Sequence, residues 1–441
     1  MAGIFKSLEK SDIRLTPFRT YKQWYDGIGY TFYTSSAAVT APVYRLLSSW
    51  GNAYDKTDII YAETTEGVTY RIDSQDDYTV LSSTTASFKT TQAGPTGNWL
   101  AHYSGSSVII RNSAMTMIGS SSKANLTVNA IDYNSASFSN STSSIIVATD
   151  YSSSISNGLL KFYLFPNGSM SYAGDWTTPQ YSGSYKAIAC NTNTQKIFAI
   201  FNPSGSSDLR ILAQDLTTTG ITMIGPQSLG TSGSVKRFIF DSGSTADAAL
   251  AGNLWTLLTD GRLYGTTGLS FYNLALATTD IFDIVVDNDA YISTTTQYPL
   301  QKVHALTNSG LLLTNIKWSA IEALANRPGL RYDEIIDCRQ MIGLGKQIYS
   351  MAINKNIDTI QSGSSSIITI VAGTTGSLTE TIVFAVNPQT GEFGDPIHLG
   401  STKGTITTLC DNLVDTVGTD SGSSINVDKG GYIRNWYVFD I

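Results

Sequence analysis

Three histidines are the first residues to test for chemistry, because imidazole serves both as a metal ligand and as a general base. They are His102, His304 and His398, and none belongs to an H-x-x-H or H-E-x-x-H arrangement. Those arrangements place two imidazoles toward one zinc ion, so a zinc site has little support. His398 follows the segment DPI and is predicted to be structural or surface-exposed. The sequence also lacks G-x-S-x-G and P-loop motifs.

Carboxylates cluster at two places in the sequence. IDSQDDYT contains Asp73, Asp76 and Asp77, and IVVDNDAYI contains Asp287 and Asp289. Neither segment completes the calcium pattern D-x-[DN]-x-[DN]-G, so both are predicted to be acidic turns. A glycosidase would need two carboxylates that meet in space, and the sialidase-propeller sequence S-x-D-x-G-x-T-W is absent. The sequence therefore predicts a protein that is not an enzyme and has no cofactor or metal.

Cysteine content and composition bound the possible class of protein. Cys190, Cys338 and Cys410 are far apart and odd in number, which predicts buried free thiols rather than a disulfide framework. Only 14% of the residues are charged, whereas Ser and Thr make up about a quarter. A surface of hydroxyl groups suggests an extracellular or particle-borne protein. The net charge of -7 and the lack of a long basic run disfavour nucleic-acid binding.

The elements that would position these residues are predicted to be β-strands. Short apolar or alternating segments are separated by turn residues, as in GLLKFYLFPNGSMSYAG (158–174) and KIFAIFNPSGSSDLRILAQ (196–214). Gly, Asn, Asp and Pro suit tight turns, and the flanking Val, Ile, Tyr, Phe and Thr suit a pleated surface. No apolar run approaches the ~18 residues of a membrane span, and no signal-peptide core is present. The chain is predicted to be all-β.

The hairpins recur along the chain, with a glycine in each turn. Three of the intervals between these glycines, 38, 37 and 39 residues, are close to the ~40-residue repeat of a four-stranded propeller blade. We therefore expect a β-propeller of about seven blades, with two β-sandwich domains as the alternative. The turn glycines are Gly67, Gly105, Gly168, Gly205, Gly261, Gly310, Gly391 and Gly430.

One segment, residues 317–345, departs from the strand pattern. Trp318, Ile321, Leu324 and Ala325 follow helical spacing, and the Pro-Gly pair at 328–329 would end a helix. We therefore expect a short helical insertion near 317–345, within a propeller body that spans residues 31–441.

Residues 1–30 are predicted to form an N-terminal arm. The first 24 residues contain five basic and two acidic side chains, ahead of an acidic body. The apolar side chains of this arm either close the first sheet or dock on a neighbouring subunit, and the opposite charges favour docking. The candidate docking residues are Ile13, Arg14, Leu15, Pro17, Phe18, Tyr21 and Trp24.

The stretch IFKSLEKSDIRLTPFRTYKQW (4–24) resembles the N-terminal stretch of virion structural proteins of tailed bacteriophages, notably crAss-like podoviruses. The resemblance covers about the first 25 residues and rests on the pattern KSDI-R-TPF-YK-W. It implies a neck or tail component, assembled in the host cytoplasm, whose partners are other virion proteins in an oligomeric particle. The alternative is a glycan-binding propeller, either a lectin or adhesin or a receptor-binding tail protein, that stacks Tyr and Trp on host-surface sugars.

Overall fold

The structure is a computed structural model of the 441-residue chain. It describes residues 32–33, 43–48, 59–64, 68–73, 84–85, 90–93, 99–112, 114–138, 142–152, 154, 158–175, 181–191, 196–215, 223–241, 253–267, 274–288, 301–319, 329–355, 366–374, 377–394, 397–398, 406–409 and 438–440.

The described elements are 33 β-strands and one short α-helix, α1 (Arg339–Ile342). In chain order the strands are β1 (Phe32–Tyr33), β2 (Val43–Ser48), β3 (Ile59–Thr64), β4 (Val68–Asp73), β5 (Thr84–Thr85), β6 (Thr90–Ala93), β7 (Trp99–Ser104), β8 (Ser107–Arg111), β9 (Met117–Ser122), β10 (Val128–Phe138), β11 (Thr142–Tyr151), β12 (Leu159–Leu164), β13 (Met170–Asp175), β14 (Gly183–Asn191), β15 (Lys196–Pro203), β16 (Arg210–Asp215), β17 (Met223–Ser228), β18 (Val235–Asp241), β19 (Asn253–Leu258), β20 (Leu263–Thr267), β21 (Ala275–Thr278), β22 (Ile281–Asn288), β23 (Gln301–Thr307), β24 (Leu311–Thr314), β25 (Lys317–Trp318), β26 (Leu330–Arg331), β27 (Glu334–Asp337), β28 (Gln347–Lys355), β29 (Ser366–Thr374), β30 (Ser377–Val386), β31 (Ile397–His398), β32 (Ile406–Leu409) and β33 (Val438–Asp440).

These strands confirm the predicted fold class, an all-β propeller. Seven sets of four hydrogen-bonded strands follow one another along the chain, as blades do. They are β2–β5, β6–β9, β10–β13, β14–β17, β18–β21, then β22, β23, β24 and β27, and finally β28–β31, which we number as the first to the seventh sheet. A further three-stranded sheet has the order β1-β33-β32, with β1 and β33 parallel.

Middle strands such as β12 and β19 are buried along most of their length, because both of their faces are covered. In β12, with the sequence LLKFYL, five of six residues are buried, and β19 buries five of six in NLWTLL. The fourth strands β9 and β13 have no buried residue. The sequence segments that lack strict alternation are therefore the strands inside a sheet, as expected for strands covered on two sides.

The predicted turn glycines within the described residues do lie in hairpin turns, at positive φ. They do not all occupy the same turn, however. Gly105, Gly205, Gly261 and Gly310 join the second strand of a sheet to the third, whereas Gly168 and Gly391 lie between the third and the fourth. The 37 residues from Gly168 to Gly205 therefore join unlike turns, and this interval is not a blade repeat. Gly67 and Gly430 lie outside the described residues.

The helix expected at the start of 317–345 needs a correction at Trp318. This residue belongs to the short strand β25, and the main-chain N–H of the next residue, Ser319, donates to the carbonyl oxygen of Gly329 at 2.6 Å. The Trp318 ring packs edge-on against Trp255, with ring centroids 6.2 Å apart. This non-local contact overrides the helical spacing. The other three residues of that pattern lie outside the described residues, and the helix that is described in this segment is α1.

The chain divides into two compact units. One comprises residues 1–80, 280–317 and 331–441, and its core contains a buried cluster that includes Leu312, Ile370 and Phe384. The other comprises residues 81–279 and 318–330, and two of its core clusters contain an aromatic side chain of β15, Phe198 in one and Phe201 in the other. No helix in the described part of the chain is long and apolar enough to cross a membrane.

Candidate functional site

The predicted docking residues, Ile13 to Trp24, lie outside the described residues, so the docking arm stays a prediction. The same holds for Asp76, Asp77 and Asp289 of the two acidic turns. Of the predicted free thiols, Cys338 is buried, and burial raises the pKa of this thiol well above its usual range. A thiol held in its neutral form is a poor nucleophile, so Cys338 fills space in the core.

His102 and His304 are both buried side chains in the second strand of a sheet. His304 in β23 accepts a hydrogen bond at Nδ1 from the main-chain N–H of Asn315 at 3.2 Å. His102 in β7 accepts at Nε2 from Nε of Arg111 at 2.9 Å, and Arg111 also donates to the carbonyl oxygen of Met115 at 2.7 Å. Burial, together with the nearby guanidinium, lowers the pKa of His102 to about 4. His102 therefore acts as a neutral structural acceptor.

Titration of His102 is expected to make the protein less stable in acid. Its folded pKa lies below the unfolded value of 6.5, so the unfolded chain binds a proton first as the pH falls. The contribution of neutral His102 to the free energy of unfolding is fully present above pH 6.5. About 3 kcal/mol of this free energy is lost as the pH falls from 6.5 to 4. His102→Gln keeps an acceptor for Arg111 but does not titrate. Urea unfolding of both proteins at pH 7 and pH 4.5 should show a smaller loss for the variant. An equal loss in both proteins would assign the acid sensitivity to other groups.

A polar cluster joins the second sheet to the third. Lys123, just after β9, donates to both carboxylate oxygens of Asp175 in β13 at 2.9 Å and to the Tyr172 hydroxyl at 3.0 Å. Tyr172 in turn donates to Asp175. Burial and the Asp175 carboxylate raise the pKa of Tyr172 to about 12. All three groups are engaged with one another, which is the arrangement of a structural link between strands.

Three further ion pairs of the described residues join side chains two positions apart, whereas Lys317 pairs with Asp333, 16 positions along the chain, at 3.0 Å. Asp260 pairs with Arg262 across two residues, and Asp337 pairs with Arg339 in the same way. The hydrogen bonds from Arg339 hold the pKa of the Asp337 carboxyl below its usual range. Within the described part of the chain, no group of three or more His, Cys, Asp or Glu side chains is placed to hold a metal ion.

The candidate site is an open groove of about 380 Å³ at the junction of the third and fourth sheets. The last two residues of β11 extend beyond their own sheet, so that Asp150 pairs with Ser184 and Tyr151 with Gly183 of β14. This pairing joins the two sheets into one of eight strands. We call the site the Asp150 groove, and its lining residues are Asp150, Tyr151, Ser152, Gly183, Ser184, Asn202, Pro203, Ser204, Gly205 and Ser206.

Glycine shapes two sides of the Asp150 groove. A Cβ atom at Gly183 would lie 2.0 Å from the carbonyl oxygen of Asn202, so the close approach of β14 and β15 requires glycine. Gly205 has φ +78°, in the turn that follows β15, and nothing lies within 4 Å of the position a Cβ would occupy. The main-chain N–H of Ser204 donates to the carbonyl oxygen of Ser182 at 3.0 Å, which fixes this turn against the start of β14. The turn at Gly205 is predictable from the sequence, but the groove is not, because it depends on strands that are distant in sequence.

No protein-family model and no curated protein matches the sequence. Among solved structures, the chain is similar to Sqt1 of Chaetomium thermophilum bound to the N-terminus of ribosomal protein L10, at 10% identity and a TM-score of 0.48, over 84% of this chain and 90% of that one. It is also similar to the Dos1 propeller, at 9% identity and a TM-score of 0.43, over 86% and 91%. The periplasmic gluconolactonase PpgL of Pseudomonas aeruginosa is similar at 14% identity and a TM-score of 0.35, over 82% and 97%. The similar structures thus include an enzyme as well as a protein bound to a partner's N-terminus.

Proposed function

We propose that the protein is a non-enzymatic structural protein of a bacteriophage virion, a neck or tail component that docks on the particle through residues 1–30. The stretch IFKSLEKSDIRLTPFRTYKQW (4–24) is the observation that carries this proposal. Its basic and apolar side chains suit docking, because aromatic anchors supply affinity and charge guides association with an acidic neighbour. The protein would assemble in the host cytoplasm and remain in the released virion.

The body of the chain supports a role as a scaffold. Several of its described charged side chains link neighbouring residues or strands, as in the cluster of Lys123, Tyr172 and Asp175. Strands such as β12 and β19, each with five of six residues buried, add a core inside their sheets. Such a body resists deformation, which a component of a particle requires.

Removal of residues 1–24 is expected to abolish assembly while the propeller body still folds. The experiment is electron microscopy of the purified full-length protein beside the truncated variant, each mixed with phage particles that lack this component. We expect the full-length protein to form rings or to decorate tails, and the truncated variant to remain as single particles.

Two variants with full-length arms separate the contributions of charge and of apolar anchors. Phe18→Ala with Trp24→Ala should lose assembly, whereas Lys6→Gln with Lys10→Gln should slow it and make it less dependent on salt. Identical monomers from the full-length and truncated proteins would overturn the proposal, since the arm would then be part of the fold.

A glycan-binding propeller, acting as a lectin, an adhesin or a receptor-binding tail protein, is the second candidate function. The observation that favours it is the Asp150 groove, whose lining is rich in serine and contains one carboxylate. Hydroxyl, amide and carboxylate groups are the partners that sugar hydroxyls use for hydrogen bonding. Binding of immobilised sugars by the isolated protein tests this function separately from particle assembly.

A further inference from the structure

The Asp150 groove has the size and the placement of a small-ligand site. Its volume of about 380 Å³ falls at the lower end of the range of ligand pockets, which suits one or two sugar rings. Its walls belong to β11, β14 and β15, which are paired strands rather than free loops. Outside these strands lie Ser152 and the turn after β15, and main-chain hydrogen bonds hold that turn. A ligand would therefore meet a site that is already formed.

Asp150 presents one oxygen atom to a ligand while the other oxygen is held. Oδ1 accepts hydrogen bonds from Nδ2 of Asn129 at 2.8 Å and from the hydroxyl of Ser184. These two donors fix the orientation of the carboxylate. Oδ2 accepts no hydrogen bond from the described residues, and the side chain is exposed. A fixed, ionised acceptor forms hydrogen bonds roughly twice as strong as those of a neutral one.

Asn202, which also lines the groove, has one polar atom held by hydrogen bonds and an oxygen atom that can accept a further one. Its Nδ2 donates to the carbonyl oxygens of Ser207 at 2.9 Å and Asp208 at 3.2 Å, which uses both amide hydrogens. The amide oxygen is then left to accept from a ligand. Ser204 and Ser206 are exposed on the adjoining turn, and each hydroxyl can donate or accept. The groove thus offers two oriented acceptors beside adaptable hydroxyl groups, a set that fits a ligand rich in O–H donors.

The charges of the lining residues limit the class of ligand that the Asp150 groove can bind. Among the residues that line the groove, Asp150 carries a negative charge and there is no Lys, Arg or His. A sulfated, phosphorylated or sialylated ligand would meet an uncompensated carboxylate and be repelled. A calcium ion takes six to eight oxygen ligands. The groove contains a single carboxylate, and one of its two oxygen atoms is already hydrogen-bonded, so the lining does not suit calcium. A neutral polyhydroxylated ligand is favoured on both counts.

We propose that the Asp150 groove binds a neutral glycan, with Oδ2 of Asp150 and the amide oxygen of Asn202 accepting hydrogen bonds from sugar hydroxyls. Pro203 and the glycine main chain supply the apolar surface against which the C–H face of a sugar packs. This inference rests on the second candidate function and names its site and its class of ligand. It is independent of the docking arm.

The test is a panel of neutral and acidic oligosaccharides, including maltose, lactose, chitobiose and sialyllactose, measured against the full-length protein by isothermal titration calorimetry. We expect binding of at least one neutral sugar and none of sialyllactose. Asp150→Asn replaces the free acceptor by a donor and should weaken the neutral sugar at least tenfold. Ser204→Ala, which removes an exposed hydroxyl from a turn held by main-chain bonds, should weaken it about threefold.

Asp260→Asn is the matched control, because it removes an exposed carboxylate from a turn of the fifth sheet. It should leave sugar affinity unchanged, and thermal unfolding of each variant reports whether the fold is retained. If a neutral sugar binds equally well to the wild type and to a folded Asp150→Asn variant, the site is wrong although the second function stands. If only sialyllactose binds, the proposed site and its class of ligand are wrong although the second function stands. If no sugar of the panel binds, both the site and the second function fail. Deletion of residues 1–24 should leave the sugar affinity intact.

Discussion

Gly119→Ala is expected to destabilise the protein by about 3 kcal/mol or more, one of the largest effects expected of a single methyl group among the described residues. Gly119 lies in β9, and a Cβ atom built there would be 2.0 Å from the carbonyl oxygen of Gly168 and 3.0 Å from its carbonyl carbon. Both contacts are with main chain, which cannot move aside as the end of a flexible side chain can. The β12–β13 turn would have to shift away from β9. Urea unfolding at pH 7 measures the loss.

Gly105→Ala is the matched control for this prediction, because Gly105 belongs to the same sheet. It has φ +62° in the β7–β8 turn, and nothing lies within 4 Å of the position of its Cβ. Alanine there meets backbone strain without a clash, at a cost of about 1 to 2 kcal/mol. Equal losses of unfolding free energy in the two variants would show that the main chain at Gly168 moves away from a Cβ at position 119 without cost. The expected order, with the Gly119 variant clearly the less stable, would assign the effect to close packing between the second and third sheets.

Lys161→Met is expected to stabilise the protein at pH 7, by up to about 3 kcal/mol. Lys161 lies in the middle of β12 with 2% exposure, and its Nζ is 4.9 Å from the centroid of the Tyr163 ring. Burial lowers the pKa of this ammonium to about 8, below the 10.5 of the unfolded chain. Since the unfolded chain binds its proton first as the pH falls, stability is lost between pH 10.5 and 8 and the penalty is complete at pH 7.

The pH dependence separates this effect from simple packing. Methionine has a similar length and no charge, so the advantage of Lys161→Met should shrink as the pH rises from 8 to 10.5. Urea unfolding at pH 7 and pH 10 measures the difference. The control is Lys186→Met on β14, where the lysine is exposed and the change should stay within about 0.5 kcal/mol. A loss of stability at pH 7 in Lys161→Met would show that the contacts of the ammonium outweigh its cost of burial.

Lys161 and Asp150 lie on neighbouring strands of one sheet, but Lys161 is buried whereas Asp150 is exposed in the groove. Asp150, at the end of β11, is exposed with an oxygen atom free of partners among the described residues, while Lys161 is enclosed on the neighbouring strand. A ligand can reach the carboxylate without disturbing the lysine. We therefore expect stability and ligand binding to respond to separate substitutions in this part of the chain.

Local patterns in the sequence were enough to predict the all-β class and the turns. Residues such as Gly205 and Gly310 take positive φ, which glycine adopts at little cost, so the turn is a property of a few neighbouring residues. Apolar segments such as LLKFYL predict strands because burial on two faces needs no alternation. The regular spacing of the glycines was less informative, since Gly168 and Gly205 mark different turns.

Contacts between distant residues decided the rest. Trp318 follows helical spacing, yet its ring packs on Trp255, and Gly265 leaves the room that both rings need. Asp150 and Ser184 are 34 residues apart, and nothing near either of them predicts that β11 pairs with β14 to open a groove. The environments of His102 and Lys161 are likewise set by strands that cover them. Sequence fixes conformations whose energy is local, whereas burial, pairing and the shape of a site depend on which strands the fold brings together.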